Sequence, residues 1–199
     1  GVVNQSRLYS EKRDAIKNES IQTMMLNSVT SMDQSNMNSV IGTESALTEM
    51  RDKFISENPH LTDDINTFYS TALSTTIAPI KKVHQDFERD KNALLSQIGN
   101  LDSQILALDD DVILDGSNTE FKDTFSMLAK SINQYKMNMA RYDKVMPDLN
   151  ADLAMSAEFA SSALGKLPSQ LIGVFDGTEQ QLISELLKGG MTGPSYDAA

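Results

Sequence analysis

The chain has 199 residues, 40% of them hydrophobic and 23% charged, a globular balance rather than a disordered one. Its net charge of −11 and pI of about 4.5 exclude the basic stripe that tracks nucleic acid phosphates, so no nucleic acid partner is expected. The absence of cysteine excludes disulfides, thiol chemistry and cysteine-based zinc sites, and it fits an extracytoplasmic or virion-associated setting.

Aromatic residues are only 6% and tryptophan is absent, so the core must rely on Leu, Ile, Met and Ala. That composition suits helices better than a β-sandwich. The expected fold is all-α, an elongated helical bundle built on a long antiparallel coiled-coil hairpin (about 80–113 and 119–146), with shorter N- and C-terminal helices packed on it. The chain reads as a single domain over 1–190 followed by a tail, 191–199. Within it, 1–60 is polar and Met-rich, 62–165 holds the hairpin and 169–190 the C-terminal helices. No run approaches the roughly 20 apolar residues of a membrane span, and no transmembrane segment or secretory signal pattern is read.

The first predicted helix runs from about Leu8 to Val40, with Ile16, Ile21, Met25, Val29 and Met32 as its stripe. Between Ser20 and Gly42 the only charged residue is Asp33. A solvated helix face normally carries Lys and Glu, whereas small uncharged polar groups suit contact with another protein. Methionine makes adaptable binding surfaces as well as core filling. Ile21, Met24, Met25, Val29, Met32 and Met37 are therefore the candidate interface. A second helix is expected to open at Gly42-Thr43-Glu44-Ser45, with Ala46, Leu47, Met50 and Phe54 on one face, and to end at Asn58-Pro59. Thr62 is the expected cap of the next.

The strongest signal lies between Pro79 and Gly116. Leu94, Ile98, Leu101, Ile105, Leu108 and Val112 alternate steps of four and three, a heptad seam, with Phe87 ahead of them and His84 and Lys91 as polar members. Asp115-Gly116-Ser117-Asn118-Thr119 then reads as a helix stop and a turn. Phe121, Phe125, Leu128, Ile132, Tyr135, Met139, Tyr142 and Met146 repeat the spacing beyond it. Two such helices joined by a short turn should fold back on each other over on the order of 50 Å, at about 1.5 Å per residue. Pro79 and Pro147 each either start a new helix or kink a longer one. Further helices are expected at Ser169–Phe175 and from a Thr178 cap to Lys188, closed by Gly189-Gly190.

No constellation for chemistry emerges. The two histidines, His60 and His84, follow no metalloprotease or ferritin-like pattern, and no phosphate-binding glycine loop occurs. Asp109, Asp110, Asp111 and Asp115 sit at a helix C-terminus, where a divalent ion would relieve their repulsion. An EF-hand fails there, because Ile113 and Lys122 fall where ligands are required. No catalytic, cofactor or metal residue is assigned. Two functions fit. The first is a non-enzymatic structural or interaction subunit with protein partners or self-association. Its architecture resembles helical tip, filament or translocator subunits of bacterial secretion systems, and helical virion components. The second is an extracytoplasmic helical-bundle sensory domain that binds a small ligand near Tyr135, Met139 and Tyr142 or around the prolines.

Overall fold

The structure, a computed structural model, describes residues 2–106, 119–164 and 177–189. Among these residues every regular element is helical and no strand occurs, so the chain is an all-α helical bundle. It divides into two compact units, Gly1–His84 and Gln85–Ala199, where the sequence reads as one domain. No described helix is long and apolar enough to cross a membrane.

The first unit holds α1 (Val2–Thr30), α2 (Met37–Glu57), a 3-10 turn (Pro59–Leu61), α3 (Thr62–Ala72) and the beginning of α4 (Ala78–Leu106). Helices α1, α2 and α3 pack against one another. Their core is Met25, Val40, Leu47, Ile65 and Ile77, all essentially inaccessible. Fully burying each such side chain is worth about 1.5–3 kcal/mol, so the five together outweigh a cap, typically about 1 kcal/mol.

The long helix expected to reach Val40 stops at Thr30 instead. Thr30 and Ser31 hydroxyls bond back to Asn27 O, and the chain then turns at Asp33. The Asp33 carboxylate accepts from the backbone and hydroxyl of Ser35, at 3.1 and 2.6 Å. Those two bonds hold its pKa below the usual value. The lone charge of the segment is thus a turn device. Asn36 caps α2 through a bond from Asn38 N at 3.0 Å, so Gly42 lies inside that helix rather than at its start. Thr62 does not act as the expected cap. Its hydroxyl donates to Pro59 O at 2.6 Å, and Leu61 stands at the N-cap position.

Between α3 and α4 lies a π-helical stretch, Leu73–Ile77. It resolves the role of Pro79. At ~100° per residue, twelve residues would leave Ile65 and Ile77 roughly 120° apart on a regular helix. A π turn absorbs one extra residue, which brings both onto one buried face. The same detour carries the chain past a proline that cannot donate to the ladder. The helical path therefore continues through Pro79, whereas Pro147 starts a new helix.

The second unit contains the remainder of α4, α5 (Thr119–Val145), α6 (Pro147–Leu164) and α7 (Gly177–Gly189). Helices α5, α6 and α7 pack on one another. Leu94, Leu128, Ile132, Tyr135, Tyr142, Leu164 and Ile183 form its core. Of the predicted seam, Leu94, Leu101, Phe125, Leu128, Ile132, Tyr135 and Met139 are buried, and Ile98 is half-buried. The side chain of Ile105, together with Leu108, Val112, the turn at Gly116, the Asp109–Asp115 cluster, the Ser169–Phe175 helix and the tail, lies outside the described residues.

Where α4 meets α5 the contacts run antiparallel, Asp86 with Arg141 and Asp90 with Asn138 and Tyr142. Alongside these polar contacts the Phe87 ring meets Tyr142, and Asp86, Asp90 and Gln97 are buried on α4 among the apolar positions, polar members of the stretch besides the expected His84 and Lys91.

Candidate functional site

Helix α1 has two faces. Ile21, Met25 and Met32 belong to the buried core of the first unit. Ile21 and Met25, four apart on one side of α1, are covered within the chain, where α1 packs on α2 and α3, and Met32 lies just beyond the end of that helix. Val29 and Met37 are half-buried, and of the six expected interface residues Met24 is exposed, at 47%. Besides Met24, the large apolar residues that face outward on α1 are Leu8, Tyr9, Ile16 and Leu26. Leu8, Tyr9 and Ile16 fall within about two turns at a helical phase opposite the buried stripe, with Leu26 further along, which is why a search for one continuous stripe passes over them.

Polar ties fix this unit's helices. His60 Nε2 lies 2.9 Å from Asp14 Oδ1, Lys17 Nζ donates to Asn58 Oδ1 at 3.0 Å, and Asn18 Nδ2 donates to Asp64 at 2.9 Å. His84 is buried, and its Nε2 donates to Gln34 O at 2.7 Å. It is a brace for the α1–α2 connection rather than a seam residue. Beside the π stretch, Met25, Leu26, Val29, Phe68 and Ala72 line an apolar groove of about 270 Å³ with Gln22 and several threonines at its margins.

The second unit has a polar centre. Asp90, 2% exposed at its side chain, accepts from Arg89 Nε at 3.2 Å, from Asn138 Nδ2 at 3.1 Å and from the Tyr142 hydroxyl in a short bond. Asp86 accepts from Arg89 at 3.3 Å and from Arg141 at 2.8 Å. Two carboxylates thus face two guanidiniums, and the buried charges are paired. Burial pushes the Tyr142 phenol well above its ordinary range, and its bond to Asp90 adds to the shift. The Tyr142 ring meets Phe87 edge-on at 5.3 Å and stacks on Tyr135 at 6.1 Å. The Tyr135 hydroxyl donates to Asn150 Oδ1 at 2.5 Å, and Asn150 Nδ2 reaches Met139 O at 3.4 Å. Asn150 therefore clamps the corner made by Pro147.

These groups spend their donors and acceptors on each other. What the network does chemically is set register: Asp86, Arg89 and Asp90 on α4 match Asn138, Arg141 and Tyr142 on α5, and both triplets have i, i+3, i+4 spacing. That matching was the available sequence signal. Apolar counting hides it, because the same positions interleave with the seam. Tyr135, Met139 and Tyr142, expected near a ligand, are buried within the chain, and the two tyrosine hydroxyls are hydrogen-bonded there. Among the described residues no group of three or more His, Asp or Glu stands where it could hold a metal ion. Compared with known protein families, curated proteins and solved structures, the chain matches none of them.

Proposed function

We propose that this chain is a non-enzymatic structural and interaction protein, a subunit of a larger assembly of the secretion-system tip or filament kind or of a virion. The observation that carries this reading is the outward face of α1, where Tyr9 and Ile16 are 70% and 68% exposed and Leu8 and Leu26 are more than half exposed. Large apolar side chains gathered on one exposed helix mark a contact surface. The polar centre of the second unit supports the same reading, since its groups are committed to holding helices in register. The test is mild extraction from the native source, cross-linking and mass spectrometry. Recovery of the chain in stoichiometric complexes is expected. Recovery as a lone monomer at native abundance would overturn the reading.

The groove beside the π stretch favours a second reading, a helical-bundle sensor for a small ligand. No charged side chain lines it, so its ligand would be neutral and largely apolar. A sensor stays monomeric or dimeric and gains thermal stability with one compound of that class. A screen of neutral amphipathic metabolites by thermal shift separates the two readings.

A further inference from the structure

The first turns of α1 and the outer face of α6 are complementary in kind. Residues 4–13 are exposed throughout. The first turns of α1 thus extend beyond the part of the helix whose Ile21 and Met25 are packed in the core, with no covered face of their own. Residues 2–13 hold Arg7, Lys12 and Arg13 against Glu11, a net of +2 within a chain of −11, which leaves −13 for the rest. Leu8, Lys12 and Ile16 follow at four-residue steps and Tyr9 stands seven before Ile16, so the four share a face turned away from buried Ile21 and Met25.

Helix α6 presents the counterpart. Asp148, Asp152, Met155 and Phe159 stand at i, i+4, i+7 and i+11, one exposed face with exposed Leu149 at its edge. Pro147–Leu164 contains no Lys or Arg. Leu149 and Asp152 also wall a groove of about 200 Å³ against Phe87, Lys91 and Leu95 of α4, a seat for a large side chain such as Tyr9 at the edge of the acidic face.

We propose that the N-terminal arm of one copy docks on α6 of a second copy. Ile16 packs on Met155 and Phe159, Tyr9 packs on Leu149 beside its groove, and Lys12 and Arg13, between them on the arm, face Asp152 and Asp148. This rests on the assembly reading above and names the partner, another copy of the chain. The contact is heterologous, since two different surfaces meet. Each added copy leaves one arm and one α6 face free, so the contact propagates into a ring or a filament. One helix on one helical face is a small interface, so association depends on concentration and, being partly ionic, weakens as salt is raised.

The test is sedimentation velocity on the full chain over rising concentration at low and high salt. The mean mass is expected to rise with concentration and to fall as salt is added. Two charge-reversed variants, Lys12→Glu with Arg13→Glu and Asp148→Lys with Asp152→Lys, are each expected to sediment as folded monomers, all four positions being exposed, with a slightly lower melt for the second because Asp148 stands in the first turn of α6. An equimolar mixture of the two is expected to associate again, since reversed arm then meets reversed α6. Tyr9→Ala with Ile16→Ala is expected to weaken association at least tenfold. A wild-type chain that stays monomeric, or a mixture that does not associate, overturns the contact. A chain monomeric alone but stoichiometric with a different protein in the native extract overturns this contact and leaves the subunit reading standing. A chain that assembles when purified but is recovered alone from its source does the reverse.

Discussion

Tyr142 shows how one hydroxyl can anchor a helix pair. It donates to a carboxylate that water scarcely reaches, and its ring fills the space between Phe87 and Tyr135. Tyr142→Phe keeps the ring and removes the donor. A buried acceptor short of a partner costs about 1–3 kcal/mol, so that loss is expected in urea unfolding. An unchanged midpoint would mean that Asn138 and Arg89 suffice for Asp90. The phenol also sets an alkaline limit. Its folded pKa is raised above the unfolded value near 10, so the unfolded state loses its proton first as pH rises. The stability it contributes is complete below about pH 10 and is lost above it. Unfolding midpoints measured from pH 8 to 11 should fall more steeply for the wild type than for Tyr142→Phe.

At the scale of the element, the π stretch is an insertion that keeps two buried faces in phase and shelters a proline. Deleting the exposed Thr75 should close it into regular α-helix with Ile65 and Ile77 still on one side. The closed helix would then place Pro79 in an unbroken ladder, at a cost of about 3 kcal/mol. The expected result is a destabilised deletion variant that recovers most of its stability when Pro79→Ala is added. Equal stability of the single and double variants would show that the π turn serves another purpose. Pro147 needs no such detour. It begins α6 where its missing N–H is not required, and Asn150 secures the corner behind it.

On the scale of the molecule, the two compact units make core changes local in their effects. Met25→Lys places an unpaired charge in the first unit's core, at a cost of about 3–5 kcal/mol. Hydrogen exchange is the informative measurement. Protection is expected to collapse within residues 14–84 and to persist in α5 and α6. Uniform loss throughout would mean that the units unfold as one.

Periodicity was enough to establish that the chain is helical. A 3.6-residue repeat in Leu, Ile and Met has few other ways to bury itself, and Leu94, Leu101, Leu128 and Ile132 lie in the core as their spacing required. Periodicity could not say which neighbour covers a stripe, because the same apolar face serves a partner chain or the chain's own helices equally well. Packing decided that Met25 and Met32 are core while Tyr9 and Ile16 face outward. It also brought together, from residues some fifty positions apart, the carboxylates of Asp86 and Asp90 and the groups that satisfy them. Local sequence carries the spacing of each triplet, but only the tertiary fold sets one against the other and removes the water that would otherwise separate them.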